Sequence, residues 1–576
     1  MFKNQPKGLY VLALSNTGER FGYYTMLAIL LLFLQAKFAF STATAGFIYS
    51  TFLALVYFMP MIGGIIADKW NFQKTVTLGI VVMFLGYLIM AIPTPRLATS
   101  SLVIMLGALL LISIGTGLFK GNLQVMVGDL YNNPKYSDKR DVAFSLFYMA
   151  INIGAMFAPS VTSALCSYAL KGAGFVYNPA IPSICTKIMG GDTLDAKTLD
   201  TVNNYIAANA SQYTGNLEGF ATDFMNAIST GYSYAFAVAC GSMVISFLIY
   251  KLGRRTYSAE AMQAAGDSKG AAKTPELTPA QTKSRIVALL LVFTVVIFFW
   301  MVFHQNGMTL TKFAEVFTAT ETSSWTRIGF NVWALALIVA AVYAIFNIFQ
   351  SSGSRSRIIS VIVALAAIGG IAAIYNQTPS PVTGIQPQIY QQFNPFYVVA
   401  LTPFSVGLFA WLAKRKKEPS APRKIGLGML VAAIAFGFLM IASLGLGTAP
   451  SEGQGATLVS PNILITTYLF LTFAELLLSP MGISFVSKVA PPKYKGLMMG
   501  CWFGATAIGN YLVFIPALLW NEINVALLWG ILIVVCLLSA GFIFAIMKKL
   551  EAATSDAPVP AEVKAEALET IEDDVI

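Results

Sequence analysis

The chain has 576 residues, 56% of them hydrophobic and only 11% charged, against about 25% charged in a soluble globular domain; a soluble protein is excluded. The net charge of +10 does not point to nucleic acid, because the basic residues form no single patch and sit in short clusters at the ends of apolar runs, as in the loops of a membrane protein. Five cysteines lack metal-ligand spacing: Cys240, Cys501 and Cys536 read as packing residues within apolar runs, while Cys166 and Cys185 bracket an outer loop where a disulfide is chemically allowed.

A bilayer core takes roughly 20 apolar residues per helix. Runs of that length predict spans at 9–34, 43–67, 75–93, 102–127 and 142–168. The first continues past Glu19 and Arg20 at full length, so it reads as a span and not as a cleaved leader. The polar stretch 169–231 follows as a large outer loop, and a sixth span at 232–252 completes a first half, 1–253. Residues 254–285, rich in Ala, Lys, Thr and Ser, read as a flexible cytoplasmic linker. The second half, 286–549, carries spans at 286–307, 330–349, 358–375, 395–412, 425–446, 463–486, 497–519 and 525–547. The tail 550–576 is acidic and Ala-rich, with the composition of a disordered or weakly helical segment.

The clusters Lys3/Lys7, Lys69/Lys74, Lys135/Lys139/Arg140, Lys251/Arg254/Arg255, Arg355/Arg357, Lys414 to Lys417, Lys493/Lys495 and Lys548/Lys549 all fall on one side if about fourteen spans are counted. Both termini are therefore expected in the cytoplasm. The expected fold is an all-α membrane protein of two six-helix bundles with an extra helix pair at 330–376.

A charge at the centre of a spanning helix costs at least about 2.5–3.5 kcal/mol, so those that persist face a cavity or a partner. Glu19, Arg20, Lys120, His304 and Glu475 are such residues, drawn from both halves. Together they offer a cation for a carboxylate and an anion for an ammonium, the two ends of a zwitterion. Glu19 has a plainer reading, neutralisation by its neighbour Arg20. His304, the single histidine, is either a proton switch titrating near neutral pH or a satisfied structural residue.

Four motifs recur in order. GERFGYY at 18–24 is similar to a first-helix signature ExxERFxYY. YFMPMIGGIIADKWNFQKT at 57–75 resembles a cytoplasmic loop motif through Asp68, Lys69 and Lys74. GTGLFKGN at 115–122 matches GxGxxKxN, and FSLFYMAINIGA at 144–155 resembles FYxxINxG. FFWMVFHQNG, FNPFYVVALTP, AELLLSPMGISFVSKVAP and MMGCWFGATAIGN continue the match through the second half. The chain thus resembles the proton-dependent oligopeptide transporter family of the major facilitator superfamily across nearly all its core helices; the extra pair lies outside the resemblance.

The resemblance implies a proton-coupled symporter that imports di- and tripeptides by alternating access, acting as a monomer without cofactor or metal. It places Arg20 and Lys120 near the substrate carboxylate and Glu475 near its amino terminus. Tyr23, Tyr24, Tyr57, Asn122, Asn152, Trp300, Asn394, Ser479 and Trp502 become cavity walls or polar contacts, against a reading of the aromatic residues as helix packing or an interfacial belt. Glu19, His304 and Glu475 are the candidate proton carriers. The implied partners are short peptides, protons and the lipid bilayer, and the implied location is the plasma membrane, a bacterial inner membrane.

Three positions depart from the family pattern: Asn16 replaces the first acid of ExxER, Leu27 a later first-helix arginine, and His304 a seventh-helix acid. The last two can pair in the family, and losing one alone would strand a charge at a cost of about 3–5 kcal/mol. The alternatives are a facilitator or a symporter of another small zwitterion or anion, or a peptide sensor without transport. A membrane-embedded enzyme is disfavoured, since one histidine and scattered cysteines supply no nucleophile with its base.

Overall fold

The computed structural model describes residues 5–131, 135–136, 140–267, 278–351, 353–450, 453–491 and 494–555. Lys3, Lys139, Lys493, linker residues 268–277 and the tail from 556 lie outside the described residues.

Among the described residues, fourteen helices are long and apolar enough to cross a membrane. The first half comprises α1 (Lys7–Phe38), α2 (Thr42–Trp70), α3 (Phe72–Ala91), α4 (Thr99–Asp129), α5 (Arg140–Gly172), two short helices α6 (Ile181–Gly190) and α7 (Ala196–Asn209), and α8 (Leu217–Leu252). After α9 (Arg254–Asp267) come α10 (Pro279–Phe303), α11 (Thr309–Val316), α12 (Val332–Gln350), α13 (Ser354–Gln377), α14 (Phe393–Lys414), α15 (Ala421–Ala442), α16 (Pro461–Val489), α17 (Lys495–Tyr511), α18 (Phe514–Leu519), α19 (Val525–Ala545) and α20 (Met547–Ser555).

Each half has its own apolar core, with α1 packed between α5 and α8 in one and α15 between α16 and α19 in the other. The halves meet where α17 and α18 lie on α2 and where α14 lies on α5. Helices α12 and α13 pack on each other, and α12 packs on α14, so the extra pair sits outside the second bundle.

Local chemistry sets the helix starts. Ser41 accepts from Thr44 N at the head of α2, Asn71 from Gln73 N and Lys74 N at α3, and Thr278 with Gln281 forms a capping box at α10. Spanning helices gain no hydrophobic drive from one another in lipid, so close backbone approach at small residues holds them. At the α2–α4 crossing a Cβ on Gly63 would lie 2.1 Å from Gly117 O, so no larger residue fits there.

The outer stretch 169–231 is shorter and more ordered than a loop of that length implies. Helix α5 runs to Gly172, α8 begins at Leu217, and α6 and α7 fill most of the gap. Sequence hides this because the first two turns of α8 carry Glu218 and Asp223 and break the apolar window. Cys166 and Cys185 are both free and buried, as packing residues.

The linker also departs from a flexible tether. Its first part is α9, docked on the start of α1: the Lys7 and Gly8 backbone N–H groups donate to Glu260 at 3.0 and 2.7 Å, and Tyr257 stacks on Tyr250 at 5.2 Å. A single carboxylate that caps two orphan N–H groups at a helix N-terminus is favourable for charge as well as geometry.

Candidate functional site

The first-helix motif brings Glu19 and Arg20 together as a fully buried bidentate pair, with Arg20 Nε on Glu19 Oε2 and Nη2 on Oε1 at 2.6 Å. The guanidinium also lies 4.8 Å from the centre of the Tyr23 ring. Arg20 is thus neutralised within its own helix. Lys120, on α4, is different: its Nζ stands 3.8 Å over the Tyr57 ring, and no carboxylate lies within ion-pair distance among the described residues. It is the cation of this cluster that remains available to an anionic group.

Beyond Tyr57 the cluster continues into the second half. The His304 ring is 6.3 Å from Tyr57, stacks on Trp300 at 4.9 Å, and its Nδ1 lies 2.5 Å from Asn510 Oδ1. An amide oxygen only accepts, so Nδ1 carries the proton in this contact. His304 sits at a break: α10 ends at Phe303, a 3₁₀ turn spans His304–Gly307, and α11 resumes at Thr309. Gly307 is required at this break, since a Cβ there would fall 1.9 Å from the Tyr49 hydroxyl oxygen. The Trp300 indole N–H and the Asn510 amide nitrogen are buried with no hydrogen-bond partner among the described residues, as is Asn16 Nδ2 on α1.

Glu475, on α16, is held from two sides. The Tyr148 hydroxyl of α5 donates to its Oε1 at 3.0 Å and Asn394 Nδ2 of α14 to its Oε2 at 2.8 Å, while Asn394 also donates to Thr472 Oγ1 at 3.1 Å. Both donors are neutral, so neither supplies a counter-charge to the carboxylate. Ser479, one turn further along the same face of α16, is half-buried. Asn152 lies one turn past Tyr148 and donates to its carbonyl at 3.0 Å. Tyr24 and Tyr57 stand within electrostatic reach of both Arg20 and Glu475, so the two clusters are neighbours across the interface of the bundles.

Two of the sequence candidates, Asn122 and Trp502, make packing contacts. Asn122 is buried and its Nδ2 donates to Gly63 O at 3.1 Å and Leu118 O at 2.8 Å, pinning α4 to α2. Trp502 stacks edge-on against Phe293 at 6.2 Å and covers Gly482, where a Cβ would come within 1.9 Å of the indole.

Three residues were missed from sequence. Tyr148 and Asn510 lie inside the quoted FSLFYMAINIGA and MMGCWFGATAIGN motifs, but uncharged residues gave no cost argument to single them out. Lys312, whose ammonium contacts Glu315 and reaches Gln35 Oε1 of α1 at 3.2 Å, lies past the predicted end of its span.

Around Lys312 the two halves are latched at the end that bears α6 and α7. Gln391 Nε2 donates to Ala28 O at 3.2 Å and Thr311 Oγ1 at 3.1 Å, Ser160 Oγ to Gln392 Oε1 at 2.5 Å, and Gln386 Nε2 to Ser167 Oγ at 2.7 Å. Leu27 is buried in apolar surroundings, and the latch consists of neutral hydrogen bonds together with the Lys312–Gln35 contact.

Among the described residues, fourteen apolar helices in two bundles with an extra pair, with charged residues at the bundle interface and a latch across one end, define a multi-pass membrane transporter of the major facilitator fold. The POT family's sequence model matches residues 73–269 and 357–532, and the chain belongs to that family. It is 25% identical to an uncharacterized transporter, YclF, of Bacillus subtilis, over 94% of each chain. It is 26% identical to the dipeptide and tripeptide permease B of Aliivibrio fischeri, over 88% of this chain and 86% of that one. Among solved structures, a POT family transporter in complex with a thioalcohol conjugated peptide superposes with a TM-score of 0.64 at 18% identity, covering 95% of this chain and 98% of that one.

Proposed function

We propose that the chain is a symporter that imports di- and tripeptides with protons by alternating access, from the side bearing α6 and α7 to a cytoplasm that holds both termini. The observation that carries this reading is the placement of Lys120 and Glu475 on opposite bundles, one with no carboxylate and the other with only neutral donors. A peptide carboxylate pairs with Lys120 and its ammonium with Glu475. Each contact is a charge-assisted hydrogen bond in a site of low dielectric. A substrate that bridges the bundles is one whose binding energy bears on their relative position, which is what alternating access requires. The names of curated relatives as dipeptide and tripeptide permeases support the same cargo.

In this scheme Arg20, balanced by Glu19, shapes the field at the carboxylate end, and Tyr23, Tyr24, Tyr57, Asn152, Trp300, Asn394 and Ser479 line the chamber. Glu475 and His304 are the groups through which protons enter the cycle, with Glu19 held by its arginine. The transporter works as a monomer in a bacterial inner membrane.

The test is uptake of a labelled dipeptide into proteoliposomes with and without an inward proton gradient, competed by peptides, free amino acids and unrelated anions. Gradient-driven accumulation inhibited by di- and tripeptides alone is the expected result. A second reading, a facilitator of small zwitterions, draws on the departures at Leu27 and His304 and predicts equilibration without accumulation.

A further inference from the structure

A second cavity of about 590 Å³ lies at the outer end, apart from the central chamber, between α5, the segments on either side of the extra helix pair, and the end of α13. Its walls are well built. Thr322 and Val382 exchange backbone hydrogen bonds at 3.0 Å, and Ile385 N donates to Thr320 O at 2.9 Å, zipping the entry and exit segments of the pair together. Gln386, on the wall, donates to Ser163 O at 3.2 Å and Ser167 Oγ on α5.

Arg327 lines this cavity and is only 8% exposed. Its guanidinium lies over the Tyr375 ring at 4.0 Å, and one end, Nη2, reaches Tyr375 O at a long 3.5 Å. Its Nε–H has no partner among the described residues, and no carboxylate there lies within ion-pair distance. Ser163, 7% exposed, lines the cavity from α5 and has a hydroxyl without a partner as well. A buried guanidinium without a counter-charge is costly, and its planar fork of N–H groups matches an oxyanion. The cavity supplies room, the aromatic face fixes the fork, and two of its lining residues, on different helices, each carry a donor without a partner among the described residues.

We propose that this cavity is a binding site for a small oxyanion, a sulfate, phosphate or carboxylate group, whose charge is met by Arg327 and one of whose oxygens accepts from Ser163. Ser163 belongs to the first bundle, Arg327 and Gln386 to the second half, so parting of the bundles at the outer end divides the site. A bound oxyanion therefore holds that end closed. The binding itself does not depend on what the central chamber carries.

The test uses the purified full-length chain in detergent, titrated with sodium sulfate at constant ionic strength and followed by thermal unfolding. Sulfate should raise the midpoint saturably, and Arg327→Gln should weaken the apparent affinity roughly tenfold or more, the scale of losing a charge-assisted contact. Lys120→Gln, which removes the anion-binding cation of the central cluster, should leave the Arg327-dependent part of the effect intact. Arg327→Lys keeps the charge without the fork, covers instability of the glutamine variant, and should weaken sulfate several-fold. Nanodiscs of phosphatidylglycerol against phosphatidylcholine separate the sources: stabilisation by soluble sulfate identifies a free anion, and stabilisation by phosphatidylglycerol alone, lost in Arg327→Gln, identifies a lipid phosphate. Equal responses of wild type and both Arg327 variants, or loss of the Arg327-dependent part of the sulfate effect in Lys120→Gln, would overturn the proposal.

Discussion

The Tyr148 hydroxyl donates to Glu475 Oε1 at 3.0 Å, a bond that crosses from one bundle to the other at the centre of the molecule. With Asn394 on the second oxygen, the carboxylate is oriented by neutral donors from α5 and α14, neither of which supplies a counter-charge. Glu475→Gln should therefore weaken binding of a dipeptide by about tenfold or more, the range of a lost charge-assisted bond, and weaken its N-acetylated form far less. Tyr148→Phe should give a smaller loss on the dipeptide. Equal losses on both ligands, measured by competition binding, would mark Glu475 as a structural charge.

Asn122 separates a packing role from a binding one. Its amide reaches the backbone of both α2 and its own helix from a buried position, so Asn122→Ala should destabilise by about 1–3 kcal/mol. The expected readout is a lower thermal midpoint in detergent with unchanged relative inhibition by a peptide panel. A normal midpoint combined with a changed peptide preference would return Asn122 to the chamber wall.

Fold and site were legible to different degrees for physical reasons. Spanning helices announce themselves because hydrocarbon tolerates almost nothing else, and the extra pair stood out at 330–376 against observed helices of Val332–Gln350 and Ser354–Gln377. Helices α6, α7 and α9 were lost because short helices of mixed or polar composition carry no such length signal. The charged residues Lys120 and Glu475 were visible through their cost, whereas Tyr148, Asn510 and the glutamines of 386–392 were not, since a neutral hydrogen-bonding side chain looks alike in sequence whether it bonds its own helix or the other bundle.

The hairpin joining α12 to α13 lies at the opposite end of that pair from the latch, since α12 starts just after Arg327 and α13 ends just before Val382. Arg355 and Arg357 therefore belong with the linker side, and Gln377 and Gly384 with the α6–α7 side. Single cysteines at 355 and 384 in a chain freed of its reactive thiols should label from opposite faces of intact cells, 384 from outside. Labelling of 355 by an impermeant reagent from outside would invert the pair.

At the far end of the second bundle Glu551 accepts from Ser420 Oγ at 2.6 Å and Arg423 Nε at 2.7 Å, and these bonds hold its carboxyl below the usual carboxylate range. A depressed carboxylate contributes stability above its unfolded value of about 4.3 and loses it as pH falls through the folded value. The pair is largely exposed, so the contribution stays below about 1 kcal/mol. A spin label at Ala552→Cys should be immobile at pH 7 and loosen only on acidification below the usual carboxylate range. With Glu551→Gln the label should be mobile throughout, and a label unaffected by either change would show that α20 docks by its apolar side alone.

His304 is where proton coupling is most exposed to test. It stands at the α10 break, stacked on Trp300, bonded to Asn510 and facing Tyr57, which carries Lys120 on its ring. Leu27 removes any arginine from its side of the first helix, so a gate made of an arginine–acid pair has no counterpart here. A second proton on the imidazole adds a charge beside the Lys120 ammonium and opposes it, while loss of that proton restores a neutral donor to Asn510. Proton binding and release thus change the field at the site that holds the peptide carboxylate. His304→Gln keeps a neutral donor of similar reach, and it should retain dipeptide binding and counterflow exchange while gradient-driven accumulation falls to the level of exchange. Accumulation that survives in the variant would transfer the coupling proton to Glu475, and Glu475→Gln tested in the same vesicles would then abolish it. A wild-type protein whose uptake ignores the pH gradient altogether would leave His304 as the structural partner of Asn510 and the chain as a facilitator.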